Sequence, residues 1–290
     1  MPSKIVIGVP FEAPLDSPDL PFVERRSAPR NSEFGRRVFD IQVADGGGER
    51  SDASLLIDRM YATRGYLSSG LPPGADDDRI TLVASEAGLT IGTITMGFDG
   101  SDGLMVDDLF GAEVDALRAR GLRLCEFTKL AIDGAVRSRR VLASLFHAAY
   151  IYALPIKGAD RLLIEVNPRH VGYYRRMLGF QALSEAKINR RVDAPAVLMM
   201  LDLSHAQAQI ALLGGLQCDA APEERSLYPW FFSGAEEQQI VARARAHRMD
   251  YTRAARGSVR GPGAQSLRSS ASVHRISQGH DAVPRDFVFV

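Results

Sequence analysis

Glu126 and Lys129 are charged residues inside an otherwise apolar segment, LCEFTKLAI, whose pattern predicts a β-strand. A buried charge needs either a partner or a function. The Glu126 carboxylate can take a proton from an incoming ammonium group, directly or through water, when burial raises its pKa. A lysine beside Glu126 would lower the pKa of its carboxyl group, which favours a role in binding the ammonium group over a role in deprotonating it. A salt bridge between strands is the alternative without catalysis.

Strand geometry decides whether these two side chains can act together. Successive side chains point to opposite faces of a sheet, so Cys125, Phe127 and Lys129 share one face and Glu126 lies on the other with Thr128. Only a β-bulge would bring Glu126 and Lys129 to the same face.

A basic loop follows this strand and leads into the next helix. Backbone N–H groups and the helix dipole make a helix N-terminus an anion site, here flanked by Arg137, Arg139 and Arg140, with Ser138 as the predicted N-cap. These residues, together with Lys129, are the candidates for binding the phosphate of a phosphopantetheine thioester. A solvated basic loop is the alternative.

The charge around that loop is locally unbalanced. Between residues 118 and 140 seven basic residues stand against two acidic ones, in a chain whose 35 basic and 35 acidic residues otherwise cancel. Because opposite charges steer association, the excess favours an acidic partner such as acyl carrier protein.

The segment EVNPRHVGYYRRMLGF supplies a second set of candidates. Asn167 is a natural N-cap before Pro168, and with Arg169 and His170 in the first turn it forms the predicted substrate-binding group, suited to a ligand carboxylate. Tyr174 can protonate a departing thiolate. Its place on an apolar helix stripe makes a packed core tyrosine the alternative.

The elements that must position these residues alternate between strand and helix, which predicts an α+β fold: a central mixed sheet flanked by helices. The buried helix VLASLFHAAYIYA contains His147, interpreted as a core histidine. Predicted strands lie at 38–43, in a hairpin over 79–99, and at 122–132, 160–166, 180–190 and 195–203; predicted helices lie at 51–63, 111–121, 139–153, 168–178, 205–215 and 234–247.

The composition along the chain predicts four parts. Residues 1–35 read as a flexible arm, 36–205 as the catalytic domain, 206–250 as a helical extension and 251–290 as a disordered basic tail. The balanced charge gives no indication of nucleic acid as a partner. Two cysteines and no membrane span predict a reduced, cytoplasmic protein, and no metal-binding motif, phosphate loop or nucleophile elbow is present.

Many blocks in order resemble the bacterial long-chain N-acyl amino acid synthase family, relatives of acyl-homoserine-lactone synthases within the GNAT acyltransferase fold. The resemblance covers roughly residues 38–205, and its blocks are MYATRGY, IGTITMGFD, GLMVDDLFGAEVDALRARG, CEFTKLAID, LFHAAYIYA, EVNPRHVGYYRRMLGF and RVDAPAVLMMLDL. It implies transfer of a fatty acyl chain from acyl carrier protein to the amino group of an amino acid. The donor is then a phosphopantetheine-linked substrate, and no bound cofactor is expected.

Differences from the sequence patterns of related acyltransferases narrow the expected acceptor and donor. Lactone-forming relatives carry Glu-x-x-Arg where this chain has Glu126-x-x-Lys129, and an arginine where it has Thr93 and Thr95, which argues against S-adenosylmethionine as acceptor. The second glycine of the coenzyme-A pyrophosphate signature is also missing from DGAVRSRR. Two alternatives stay open: a catalytically inactive module that binds an acyl carrier or another protein, and a coenzyme-A-dependent acetyltransferase.

Overall fold

A computed structural model of the protein describes residues 6–10, 38–68, 70–71, 78–136, 138–216 and 224–257, the last with side chains to residue 246. Its nine described strands form one mixed sheet in the order β1-β2-β3-β4-β5-β6-β9-β7, with β8 paired to β9. The strands are β1 Val6–Pro10, β2 Val38–Val43, β3 Arg79–Glu86, β4 Leu89–Phe98, β5 Leu124–Ile132, β6 Arg161–Val166, β7 Gln181–Ala182, β8 Lys187–Asn189 and β9 Ala194–Asp202.

Helices cover both faces of the sheet. They are α1 Gly47–Ala62, α2 Asp107–Arg118, α3 Arg139–Ile151, α4 Val171–Leu178, α5 Leu203–Leu213 and α6 Gly234–Gly257, with a π-helical turn at Tyr152–Ile156 and 3₁₀ turns at Pro168–His170 and Tyr228–Trp230. The α1 and α2 side chains pack on one face, and α3, α4 and α5 pack on the other. The predicted α+β architecture is therefore confirmed.

Alternating apolar side chains explain how the sheet holds its two cores. On β5, Cys125 and Phe127 face the α3 core, whereas Leu124 faces the α1–α2 core. The β3–β4 hairpin turns at Ala87 and Gly88, both with positive φ, as the Glu86-Ala87-Gly88 sequence predicts.

The prediction of a flexible arm over residues 1–35 is wrong at residues 6–10, which form a strand. Val6–Pro10 pairs antiparallel with β2, and Ile7 and Val9 are buried in the α3 core. The alternating apolar residues of VIGVP form too short a pattern to outweigh the charged, proline-rich sequence that follows them, which favours a flexible arm. The rest of the arm lies outside the described residues.

The predicted basic tail, 251–290, also begins later than expected, because α6 continues to Gly257. Residues 258–290 lie outside the described part of the chain. Among the described helices, none combines the length and apolar character needed to cross a bilayer.

The helical extension is fastened to the domain through His147, which is fully buried as the sequence predicts. Its Nδ1 accepts the Phe232 backbone N–H at 2.8 Å, and its Nε2 lies 3.3 Å from the Glu237 carboxylate. The imidazole stacks on Phe231 and Phe232 at centroid distances of 4.9 and 5.0 Å. Burial lowers its pKa, so the neutral form links α3 to α6.

Candidate active site

The parallel pair β5–β6 separates partway along its length. Pairing runs from Leu124↔Arg161 to Glu126↔Leu163 and goes no further, although both strands continue. Beyond this point the facing backbone groups are not paired with each other. The slot that results can admit an extended ligand, which would pair with strand edges as an added strand does.

A β-bulge at Lys129 shapes the same place. Lys129 has a φ of 51°, and the β4–β5 register shifts between Thr93 and Thr95. The bulge turns Lys129 to the α1–α2 face, where its Nζ lies 5.6 Å from the centre of the Tyr61 ring. Glu126 and Lys129 therefore share a face, the outcome that the sequence made conditional on a bulge. Burial lowers the Lys129 pKa.

Glu126 is fully buried and both of its carboxylate oxygens are occupied. Oε1 accepts the Met105 backbone N–H at 2.9 Å and an Arg79 N–H at 3.3 Å, and Oε2 accepts the Val106 backbone N–H at 3.1 Å. Burial raises its pKa, while these donors oppose that shift. The observed arrangement ties Glu126 to the turn that begins α2, which is a positioning role, and its predicted catalytic role stays a prediction.

Glu165 on β6 is a second buried carboxylate, 4% exposed, on the same face of the sheet. Its Oε2 accepts the Asn189 amide at 2.8 Å and an N–H of Arg191. Its Oε1 is buried without a hydrogen-bond partner among the described residues. Burial raises the pKa of Glu165 to about 7, although the Arg191 guanidinium acts to lower it.

Sequence reasoning missed Glu165, although the available signal was the one that marked Glu126. Both are single carboxylates in short apolar strands, LCEFTKLAI and RLLIEV.

Two buried tyrosines connect this interior to the helices. Tyr61 of α1 packs edge-on against Tyr66 at 6.3 Å, and burial raises its pKa far above the usual value. Tyr174 of α4, a predicted catalytic residue, is 1% exposed and packs against Phe146 at 6.4 Å. Burial also raises its pKa, and Tyr61 and Arg64 lie near enough to influence it. Its packing in the core agrees with the alternative reading, and its catalytic role stays a prediction.

The predicted phosphate-binding loop is only partly assembled as expected. Ser138 caps α3 by accepting the Val141 backbone N–H at 3.2 Å, and Arg139 is exposed beside it. Arg140 instead points inward: it is 7% exposed, and it donates to the Trp230 carbonyl at 2.8 Å. Its guanidinium is therefore committed to the extension. Arg137 lies outside the described residues.

The local positive excess does not form one surface. Arg118 forms ion pairs with three aspartates, and Arg123 with Asp160 at 3.0 Å. Lys129 and Arg140 are directed into the protein. Two of the seven basic residues are therefore paired with aspartates and two more point inward, so the run offers less positive surface than the sequence predicts.

The predicted substrate-binding residues lie at the start of α4. Asn167 caps this turn through the Arg169 backbone N–H at 3.2 Å, as predicted. Arg169 donates to the Tyr66 hydroxyl at 3.3 Å and to His170 Nε2 at 3.2 Å. Burial and the neighbouring arginines lower the pKa of His170 to about 4, so it is neutral near pH 7. Of this group, Arg169 retains the charge that a ligand carboxylate needs.

Comparison with known proteins identifies the family of this chain. The family model of the N-acyl amino acid synthase FeeM matches residues 52–202, slightly more than half of the chain. No curated protein sequence matches the chain significantly.

Among solved structures, FeeM from uncultured soil microbes, an N-acyl amino acid synthase, is 27% identical over 59% of this chain and 93% of that chain, with a TM-score of 0.53. The AHL synthase LasI is 14% identical over 58% and 91%, with a TM-score of 0.45. An acetyltransferase of the GNAT family from Streptococcus pneumoniae is 15% identical over 57% and 99%, with a TM-score of 0.40. The predicted GNAT-like fold and family resemblance are confirmed, and this N-acyltransferase belongs to the FeeM family of N-acyl amino acid synthases.

Proposed function

We propose that the protein transfers a long-chain fatty acyl group from acyl carrier protein to the amino group of an amino acid. Family membership gives the reaction class, N-acyl transfer to an amino acid. The identity of the donor and the length of the acyl chain are what we propose beyond it. The observation that carries the proposal is the slot between β5 and β6, which opens beyond Glu126↔Leu163 and ends near the start of α3.

The slot suits the pantetheine arm of a thioester donor. Its amide groups can pair with the strand edges, and its phosphate can meet the backbone N–H groups at the α3 N-terminus beside Ser138. Attack by the acceptor nitrogen then forms the N–C bond and breaks the C–S bond directly. No covalent enzyme intermediate is needed, consistent with the absence of a nucleophile motif in the sequence.

Apolar aromatic side chains support a long acyl chain. Phe127 of β5 lies 6.3 Å from Phe146 of α3, which lies 6.4 Å from Tyr174 of α4. These rings occupy the side of the sheet on which α3 and α4 flank the slot. Burial of each methylene contributes about 0.8 kcal/mol, so an apolar region favours longer chains steeply.

Exposed arginines near the slot support a carrier protein as donor. Arg139 of α3 and Arg176 of α4 are both exposed, and both lie close enough to Tyr173 to influence its pKa. Arg64 and Arg169 similarly flank His170. These four arginines, drawn from three chain segments, are the proposed contacts for an acidic carrier, in place of the basic run between residues 118 and 140.

The test is mass spectrometry of the purified protein incubated with all twenty amino acids and either palmitoyl-acyl carrier protein or palmitoyl-coenzyme A. Product from the carrier-bound donor alone supports the proposal and identifies the acceptor. Faster turnover of the coenzyme A thioester would overturn the carrier assignment. No product from either donor would favour a binding module.

Removing the two exposed charges near Tyr173 tests the docking surface. We expect Arg139→Gln with Arg176→Gln to raise KM for the carrier-bound donor roughly 3- to 10-fold, because each exposed ion pair contributes only about 0.2–1 kcal/mol. The KM for palmitoyl-coenzyme A should change less. Arg120→Gln, an exposed arginine before the opposite end of β5, is the matched control. Equal effects on both donors would contradict carrier docking.

A further inference from the structure

We propose that Glu165, through its unpaired Oε1, receives the proton that the acceptor ammonium must lose before attack. This inference rests on the proposed function and deepens it by assigning the proton acceptor. Glu165 lies on β6 two residues beyond the last pair with β5, so it stands just past the point where the slot opens.

The hydrogen bonding leaves one position for a ligand donor. Asn189 and Arg191 both donate to Oε2, which holds the carboxylate in place. Oε1 is buried and has no partner in the described part of the chain. A buried acceptor without a partner is costly, and an ammonium N–H would satisfy it.

Arg191 is the partly exposed neighbour of this carboxylate. Its guanidinium donates to Glu165 Oε2, to the Met105 carbonyl and to Asp108, and its side chain is 29% exposed where that of Glu165 is 4% exposed. We take movement of the Arg191 side chain as the route by which an acceptor reaches Glu165.

Burial raises the pKa of Glu165, and charged groups on neighbouring elements modify that shift. Arg191, in the turn after β8, lowers its pKa, whereas Glu126 of β5 and Asp108 of α2 raise it. Tyr61 of α1 lies near enough to Glu165 for this carboxylate to raise the pKa of the tyrosine. With a pKa of about 7, the carboxylate can accept a proton near neutral pH and release it again.

The proton balance is complete with this one acceptor. Glu165 takes one proton from the ammonium, giving a neutral amine that attacks the thioester carbonyl. A second N–H proton is lost as the amide forms and leaves with the thiol. Glu165 then returns its proton to water, so one proton is released for each amide.

The direct test is the pH dependence of kcat/KM for wild type and for Glu165→Gln. Glutamine keeps an oxygen toward Asn189 and Arg191 and places its NH₂ where Oε1 was. We expect kcat/KM to fall about 100-fold or more, the range for losing a general base. The acid limb of the wild-type profile, near pH 7, should disappear, while thermal unfolding shows a folded variant.

Arg191→Gln provides a second readout that needs no change to the carboxylate. Removing the guanidinium raises the pKa of Glu165, so the acid limb should move to higher pH. A purely structural Glu165 would leave the limb in place. An active wild type with an equally active Glu165→Gln variant and an unmoved Arg191→Gln limb would overturn this assignment alone. A wild type inert toward both donors would overturn the proposed function, and this assignment with it.

Discussion

Glu126 and Glu165 are buried carboxylates on adjacent strands, and they face the same helices. Glu126 has both oxygens occupied by donors from Met105, Val106 and Arg79. Among the described residues, Glu165 has hydrogen-bond donors on Oε2 and none on Oε1. Burial raises the pKa of both, so burial alone does not distinguish a structural carboxylate from one that can do chemistry. What distinguishes Glu165 from Glu126 is a carboxylate oxygen that has no hydrogen-bond partner among the described residues.

The partners differ in kind as well as number. Two backbone N–H groups hold Glu126, so its position is tied to the chain entering α2. Glu165 is held by the side chains of Asn189 and Arg191, which can rearrange without moving a strand. Glu126 therefore holds the start of α2 in place, whereas Glu165 is the carboxylate that we propose accepts the proton.

The largest expected effect on stability comes from the pH dependence of Glu165. Its folded pKa is raised from 4.5 to about 7, so the folded state keeps a proton that the unfolded state has lost between those values. Its contribution to stability is therefore complete below pH 4.5 and is lost as pH rises to 7, by roughly 3 kcal/mol. Urea unfolding of wild type and Glu165→Gln at pH 4.5 and 8 measures this directly.

The glutamine variant should gain relative stability over that interval, because it has no proton to lose. At pH 8 we expect it to be at least as stable as wild type, although much less active, a known pattern at functional sites. Parallel stability curves for the two proteins would show that Glu165 titrates normally and would remove the contrast with Glu126.

A smaller effect on stability is expected from Glu126→Gln, which tests the Glu126 half of the comparison. Its new NH₂ group must face a backbone N–H of Met105 or Val106, because both carboxylate oxygens now accept from donors. Leaving one such buried donor unpaired costs about 2 kcal/mol. The free energy of unfolding should fall by that amount at neutral pH. Unchanged stability would contradict the positioning role.

The strand pattern predicted much of the fold, since the elements of the sheet follow short apolar alternations. It also placed Ser138 and Asn167 as helix caps, because capping depends on neighbours two or three residues away. The bulge at Lys129 is harder to predict from the sequence, because it depends on the register between β4 and β5.

The site itself depends on contacts that sequence order hides. Arg191 lies 26 residues after Glu165, and with Asn189 it donates to Oε2, which leaves Oε1 without a partner in the described part of the chain. Arg140 reads as surface charge in the sequence, but it donates to the carbonyl of Trp230, which lies 90 residues further along the chain. These long-range pairings, rather than local propensities, separate the predicted site from the observed one.

The most direct test of the account is one side-by-side measurement of initial rates for wild type, Glu126→Gln and Glu165→Gln, at a single pH near 8 and a temperature where all three are folded. Palmitoyl-acyl carrier protein and the identified acceptor serve as substrates. We expect Glu126→Gln to stay within about 10-fold of wild type and Glu165→Gln to fall about 100-fold or more. The reverse order would contradict the assignment of the open carboxylate as the proton acceptor.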